Sequence, residues 1–469
     1  MHYFGLLATI HRETVIAMKP EKFKRWFNRS FWRVFKDHSF PLRVPQTAKE
    51  KAALVDSVWA AISSARYAPS IPETEIVINK GHGVARTVPV FCIEDYCVYY
   101  FCIKELEDVL CVNRTPNTFG GWTLGGKFRQ QENADVECEL TDYGRYSFNP
   151  RAWTHAFGEF NSLLFAQLDR HAYSHVLQFD LSNFYDSVRL DTLERWIREE
   201  ADSEKGWQVT LLFYLLNQWN RRNTGLHPQS VGLPQDVLAD CSRILANYYL
   251  QKYDQFAAAI CSGNGALYFR YADDQMILLN DPGSVERLLL LITRRLDRFG
   301  LRVNQKKVDL WTAAELQDHR CRAIQAIFAK KKDNQNPALV RQFVDAYLAI
   351  PKAKLAKTWN RGLPLLNRLL WSNLESLPKP LFNTVVTRLT SDEYLLRADN
   401  KKLARVRQLN RMRPRPIDLA VRLRSIGQQS VHNAYHYEVL SFAHSLGDAD
   451  LVRFCEARLT ALDQLMNSL

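Results

Sequence analysis

The 469-residue sequence holds nine cysteines but no Cys-x-x-Cys pair, and no histidine stands at zinc-finger spacing. A finger- or ribbon-type zinc site is therefore excluded. The odd, scattered set Cys92, Cys97, Cys102, Cys111, Cys138, Cys241, Cys261, Cys321 and Cys455 reads as reduced, mostly buried thiols and not as a disulfide framework. No run of about 18 apolar residues occurs, so no membrane span and no membrane partner are expected. The apolar stretch 4–10 is too short for a signal core with a cleavage site. Glycine (19) and proline (18) are too few for a collagen-like or linker-like chain. With 46% hydrophobic and 24% charged residues, the composition is that of a soluble globular protein, and the length suggests about two to four domains.

Acidic charge is scarce at both ends. Residues 1–50 carry 10 Lys/Arg against 4 Asp/Glu, and residues 320–469 carry 25 against 12. The remaining 51–319 hold 27 against 34, so the net charge of +12 divides into a basic front, a basic back and a slightly acidic centre. Basic flanks point to a polyanion such as nucleic acid, although a solvated basic surface explains them equally well.

Along the chain, Phe23, Trp26, Phe27, Phe31 and Val34 recur at helical spacing with Lys22, Lys24, Arg25, Arg29 and Arg33 between them, which predicts one amphipathic helix. Residues 47–65 predict a second. The runs 76–78, 88–93 and 96–103 are β-branched or aromatic and read as strands or strand–helix pairs. Residues 114–150 read as irregular. Residues 176–180 predict a strand ending in a carboxylate, and Asp191-x-x-Glu194 reads as a helix start capped by Asp191. Residues 267–271 and 275–279 predict a hairpin around a two-carboxylate tip. Ser284 then caps a helix that Gly300 ends. Beyond 320 the pattern is helical over 337–350, 363–374, 380–389 and 433–446. Residues 401–424 hold nine basic residues and a single acid, Asp418.

Two segments carry chemistry: Gln178-Phe179-Asp180-Leu181-Ser182-Asn183-Phe184-Tyr185-Asp186 and Phe269-Arg270-Tyr271-Ala272-Asp273-Asp274. Each sets carboxylates at the end of an apolar strand. If the strands are neighbours in one sheet, Asp180, Asp273 and Asp274 converge at one edge. Carboxylates so close repel one another unless cations lie between them. Mg²⁺ prefers carboxylate and phosphate oxygens, and a pair of such ions about 4 Å apart supports phosphoryl transfer. An isolated Asp-Asp is ordinarily only a hairpin tip. The order and the flanks of the two segments outweigh that reading.

Tyr-Ala-Asp-Asp after an apolar strand resembles the catalytic hairpin of reverse transcriptases. The segment around Asp180 is similar to the family's first catalytic motif. Between them, Gly232-Leu233-Pro234-Gln235, with Ser242-Arg243-Ile244-Leu245-Ala246-Asn247 after it, resembles the Pro-Gln motif and its helix. Asn304-Gln305-Lys306-Lys307 resembles the later Asn-x-x-Lys motif, and Lys80, Gly83, Arg86 and Asp95 resemble the fingers. The resemblance spans roughly 75–310. It implies an α+β right-hand polymerase: fingers and palm with an antiparallel sheet, then an all-helical thumb and C-terminal domain. The boundaries expected are a basic helical segment over 1–70, fingers and palm over 71–319, and a basic helical region over 320–469.

The resemblance also implies roles. Asp180, Asp273 and Asp274, with the Leu181 carbonyl, would hold two Mg²⁺ ions. Tyr185 would lie under the sugar and disfavour a 2′-hydroxyl, whereas Phe184 reads as a core residue. Gln235 would contact the incoming dNTP, Lys80 and Arg86 its phosphates, and Lys307 would protonate pyrophosphate, with Lys306 one register away. The residue after Pro-Gln is Asp236 where the family often has glycine, and 309–315 matches the family's primer grip poorly. No RNase H, nuclease-finger or integrase pattern is visible in the tail. The Ser-Arg-x-Leu-Ala-Asn run and helical tail look most like bacterial abortive-infection and defence-associated reverse transcriptases. These imply antiphage work in the bacterial cytoplasm, an RNA template, a structured non-coding RNA and a DNA product.

Lys401, Lys402, Arg405, Arg407, Arg411, Arg413 and Arg415, with Arg422 and Arg424 beyond, offer a track for a phosphate backbone. Trp359, Trp371 and Tyr394 offer stacking surfaces, though helix core is the better expectation for them. Several alternatives stay open. They are template-independent or protein-primed DNA synthesis at the same site, a retron- or intron-type enzyme, an RNA polymerase (against which Tyr185 argues), and a non-catalytic RNA-binding scaffold. A homo-oligomer or partner protein is likewise left open.

Overall fold

A computed structural model describes residues 18–36, 42–81, 84–111, 114–121, 124, 127–130, 138–141, 152–219, 231–235, 239–330 and 332–467. The chain forms two compact units. Of the described residues, the first takes those within 18–36, 42–75 and 88–313, and the second those within 76–81, 84–87 and 314–467.

In the first unit, the single amphipathic helix expected near the front is two: α1 (Pro20–Lys24) and α2 (Arg29–Lys36). The break has a local cause. Asn28 Oδ1 accepts from the Phe31 amide, an N-cap bond that starts a new helix where the first would have continued. The buried Phe23, Phe31 and Phe35 pack at tilted angles against Phe101, Tyr100 and Tyr96. The next helix, α3 (Ala48–Ser63), opens on a capping box between Thr47 and Glu50.

Residues 96–103, strand-like in composition, lie in helix α4 (Ile93–Glu105). Every residue from 95 to 105 is buried there. A helix enclosed on all sides shows no 3.6-residue alternation, so periodicity does not separate it from a buried strand. Strands β1 (Thr74–Gly81) and β2 (Val84–Val90) pair with each other. Within 114–150, the described residues include β3 (Thr118–Phe119) and a hairpin of β4 (Lys127–Gln130) with β5 (Cys138–Thr141), where irregular structure was expected.

The centre of this unit is a five-stranded sheet. Its later strands are β6 (His175–Phe179), β7 (Leu267–Tyr271), β8 (Asp274–Leu279) and β9 (Asp309–Thr312), in the order β3-β7-β8-β6-β9. All pairings are antiparallel except the short β3–β7 pair, which is parallel. Helices α5 (Ala152–Asp169), α6 (Leu190–Glu200), α7 (Gly206–Trp219), α8 (Ala239–Gly263) and α9 (Val285–Arg298) complete the unit. Both α5 and α8 pack on β7. Val176, Leu177, Phe179, Met276, Ile277 and Leu278 are fully buried in the sheet, each side chain contributing about 1.5–3 kcal/mol of transfer free energy.

Two expected caps are corrected. Asp191 does not cap α6; it pairs with Arg189 at 2.7 Å, while Glu194 pairs with Arg198. Ser284 makes no side-chain cap for α9, and Asp281 instead accepts from the Gly283 amide. Gly300 does follow α9 in the left-handed region, φ +73°.

In the second unit, the described regular structure of 320–469 is helical throughout. It includes α10 (Pro337–Leu348), α11 (Leu363–Leu370), α12 (Lys379–Leu389), α13 (Asn400–Arg411), α14 (Leu419–Gln429), α15 (Asn433–Leu446) and α16 (Ala449–Asn467). Phe343, Leu369, Val386, Leu403, Val406 and Phe442 share one core. The segment 76–87 belongs to this unit, where the Val77 amide donates to Asn433 Oδ1 at 2.6 Å. No described helix is long and apolar enough to cross a membrane.

Candidate active site

The sheet register builds the site. In the β6–β8 pair Phe179 faces Gln275, so one further step sets Asp180 opposite Asp274. In the β7–β8 pair Tyr271 faces Asp274, which leaves Ala272 and Asp273 as a two-residue turn. The tip is therefore Ala272-Asp273, and Asp274 already belongs to the strand. Ala272 sits at φ +53°, a conformation that costs an L-residue about 1–2 kcal/mol. Asp180, Asp273 and Asp274 thus lie at the ends of two adjacent central strands and in the turn beside them, at one end of the sheet.

Their electrostatics record the proximity. Burial, then the charges of Asp180 and Asp274, push the Asp273 carboxyl up to about 7, and it shares a hydrogen bond with Asp180. Asp180 is buried, with 6% of its surface exposed. Lys307 Nζ lies 2.5 Å from Asp180 Oδ2. Burial pulls against its proton, yet the bond to Asp180 and the charges of the three aspartates hold Lys307 above the usual lysine value.

The reach of Lys307 is set by backbone. The Ser182 amide donates to the Arg302 carbonyl and the Asn304 amide to the Asp180 carbonyl, both at 2.8 Å, around a bridge between Leu181 and Val303. Neither bond uses the Leu181 carbonyl. A single turn at 305–307, closed by Lys307 N to Asn304 O, brings Lys307 back over Asp180. Lys306, the alternative register, makes no ion pair among the described contacts, and Lys307 is the lysine at the carboxylates.

The same first motif receives the Pro-Gln segment. The Leu233 amide donates to the Tyr185 carbonyl at 2.8 Å, and the Gly232 amide to the Val188 carbonyl at 2.7 Å. Gly232 holds φ +99°, which a side chain rarely adopts. Tyr185 and Gln235, both half-buried, are thus joined through two residues of backbone, while Phe184 is core at 3% exposure. Asp236 lies outside the described residues.

Other expected site residues lie elsewhere. Lys80 is on β1 and the exposed Arg86 on β2, in the part of the chain that groups with the second unit. In the basic segment, Lys402 pairs with Asp399 at 2.6 Å and Arg405 with Glu375 at 2.8 Å. Arg405 also donates to the carbonyls of Leu370 and Ser372. Arg413 reaches the Thr387 hydroxyl, and Arg422 pairs with Asp392. Lys401, Arg411 and Arg415 are exposed, and Arg407 is half-buried. Tyr394 is core, its hydroxyl on Asn367. Trp371 is 49% exposed, against the expectation of core. The side chain of Trp359 lies outside the described residues.

Sequence reasoning missed the support behind the turn. Arg270, fully buried, makes a bidentate pair with Asp254 of α8 and bonds to Asn247 and to the Ala272 carbonyl. A charged residue inside an apolar strand, with Asn247 and Asp254 seven positions apart on one helix, was the available signal. Arg243, paired with Asp240 at 2.8 Å, lies within electrostatic reach of Tyr185 and Tyr271.

Among the described residues no three His, Cys, Asp or Glu side chains form a group that would hold a metal by themselves. The donor set here is two hydrogen-bonded carboxylates with a third beside them. It fits Mg²⁺, which is commonly held by one or two carboxylates together with substrate phosphates. The absence of His and Cys donors disfavours zinc.

A sheet that ends in clustered aspartates, with a lysine on one of them and a docked Pro-Gln segment, has the chemistry to bring divalent cations and phosphate oxygens together. Residues 137–345, a little under half of the chain, match the family described as Reverse transcriptase (RNA-dependent DNA polymerase). The chain carries a reverse-transcriptase domain with the corresponding α+β polymerase fold, and its enzyme class is RNA-directed DNA polymerase, a nucleotidyltransferase. No curated protein matches the sequence. Among solved structures, telomerase from Candida albicans in complex with a fragment of telomeric RNA shares 10% identity over 87% of this chain and 71% of that one. Its TM-score of 0.32 is too low to carry an argument.

Proposed function

We propose that this chain extends a 3′-hydroxyl with dNTPs by two-metal phosphoryl transfer, copying RNA, in bacterial antiphage defence alongside a structured non-coding RNA. The observation that carries the polymerase reading is the convergence of Asp180, Asp273 and Asp274, with Lys307 on Asp180. The defence role rests on the resemblance of the Ser-Arg-x-Leu-Ala-Asn run and helical tail alone, as does placement in the bacterial cytoplasm.

Asp180 and Asp273, with Asp274 and the Leu181 carbonyl beside them, would hold two Mg²⁺. Bound there, Mg²⁺ supplies a lowered pKa for the primer hydroxyl and charge neutralisation for the triphosphate. The chain's own residues do the rest. Asp180, just past the end of β6, and Asp273, in the turn before β8, present hard oxygens side by side. Tyr185, fixed through Leu233, bounds the sugar. Lys307, with its proton firmly held, is placed to give it to the leaving pyrophosphate. The exposed Lys401, Arg411 and Arg415 give the second unit a surface for RNA phosphates.

Purified protein with its copurifying RNA should incorporate labelled dNTP, and a protein carrying Asp273→Ala and Asp274→Ala should not. Equal incorporation by both overturns the polymerase reading. The defence role is tested separately, by plaque counts with the intact gene neighbourhood. Protection that disappears in the double mutant supports it, and no protection contradicts it.

A further inference from the structure

We propose that Arg270 is a positioning residue for the transfer site: its guanidinium, clamped by Asp254, holds the Ala272 carbonyl and so sets the direction of Asp273. The inference rests on the polymerase reading and names a part of that site which the motif resemblance does not supply.

Arg270 and Asp254 are both fully buried, at 0% side-chain exposure. Nε donates to Asp254 Oδ1 at 2.7 Å and Nη2 to Oδ2 at 2.6 Å, a fork-to-fork pair. Nη1 is directed elsewhere. It donates to Asn247 Oδ1 at 2.8 Å and to the Ala272 carbonyl at 2.9 Å. Asn247 in turn donates to the Gly121 carbonyl, and Tyr268 adds a hydroxyl to Asp254 at 2.9 Å. The Ala272 amide donates to the Phe119 carbonyl at 3.1 Å. Ala272 is therefore pinned through both its amide and its carbonyl, by β3 and by Arg270, immediately before Asp273.

Two physical points give this a purpose. First, Ala272 is a non-glycine residue in the left-handed region, which persists only where surroundings over-determine it. Second, a fully buried ion pair is a poor device for stability alone, since apolar replacements of similar volume are often neutral or better. What the pair provides is a rigid donor at a fixed point. Asp254 fixes the guanidinium plane, and the plane fixes the carbonyl. The carbonyl fixes the peptide from which Asp273 projects. Lysine keeps the charge but lacks the fork, so it cannot hold Asp254 and Ala272 together.

The test uses the full chain, with Mn²⁺ as a spin probe titrated by electron paramagnetic resonance. Asp273→Ala calibrates the loss expected when a ligand is removed. Arg270→Lys, with a native circular dichroism spectrum, is expected to bind Mn²⁺ at least fivefold more weakly. Its kcat for dNTP incorporation should fall at least tenfold, with KM for dNTP within twofold of wild type. Adding Ala272→Gly, which adopts the positive φ without steric cost, should recover at least threefold of the kcat. Wild-type Mn²⁺ affinity in a folded Arg270→Lys protein overturns the proposal, as does a double mutant no better than the single. Should Arg270→Lys not fold, Asn247→Ala keeps the ion pair and is read by the same titration: weaker Mn²⁺ binding supports the proposal and unchanged binding overturns it. If the wild type binds Mn²⁺ but incorporates no dNTP, the polymerase reading has failed, and the Mn²⁺ affinities alone decide the role of Arg270.

Discussion

Lys307 and Asp180, 127 positions apart in sequence, meet at 2.5 Å because residues 302–304 run alongside 180–182 as backbone neighbours. The Asn-x-x-Lys segment is thus a built part of the carboxylate end of the sheet. Lys307→Ala is expected to lower kcat for nucleotide incorporation by about 10²-fold or more, the usual contribution of a positioned general acid. Single-turnover kinetics check this, and a loss of less than threefold would remove Lys307 from the chemistry.

The Tyr185 carbonyl accepts from the Leu233 amide, so its main chain is tied to the same backbone that carries Gln235. Tyr185→Ala is expected to relax sugar selection. The ratio of dNTP to NTP incorporation should fall at least tenfold, with the dNTP rate changed much less. Unchanged discrimination would return Tyr185 to a purely packing role.

The carboxylate end of the sheet was the most legible part of the chain. Strands β6, β7 and β8 are short, apolar and bounded by polar turns, so the approach of Asp180 to Asp273 and Asp274 follows once β6 lies beside β8, a pairing that local pattern leaves as a condition. Other features turned on interactions that local pattern does not encode. The break between α1 and α2 hangs on one bond to Asn28. Helix α4 is enclosed on every side, which erases its period. The Arg270–Asp254–Asn247 network was signalled only by a charged residue inside an apolar strand, because its partners come from separate elements and become neighbours only when β7 packs on α8. Trp371, expected in the helical core, is half exposed, since the helical run ends at Leu370 and leaves it at the C-cap.

His436 is fully buried in α15 of the second unit, with Nε2 near the Ser430 carbonyl and Nδ1 without a partner. Burial, then the charge of Arg458, holds its pKa below the ordinary 6.5 despite the Ser430 bond. A depressed histidine pKa means that the unfolded chain takes up the proton first. Its contribution to stability is complete above pH 6.5 and is lost as pH falls from there toward the lowered native value. Denaturant midpoints should therefore fall as pH drops below about 6.5, and His436→Gln should flatten that fall. An unchanged slope in the variant would contradict the assignment.

The basic segment 401–415 divides by exposure. Arg405, tied to Glu375 and two carbonyls, is expected to act on stability, with Arg405→Ala costing about 1–2 kcal/mol in chemical denaturation. Lys401, Arg411 and Arg415 are exposed, and their joint replacement by alanine should leave stability within about 0.5 kcal/mol. The same triple variant should weaken RNA binding and lower the salt slope by roughly 0.7–0.9 per lost phosphate contact. Filter binding across a salt series separates the two groups.

The most direct measurement is Mg²⁺-dependent incorporation of labelled dNTP by the purified chain with its RNA, set against the Asp273→Ala, Asp274→Ala protein. Incorporation by the wild type that disappears in the double mutant, while both proteins melt alike, is the expected result. Equal incorporation by the two, or none by a folded wild type supplied with RNA, dNTPs and Mg²⁺, would contradict the assignment of these carboxylates to nucleotidyl transfer.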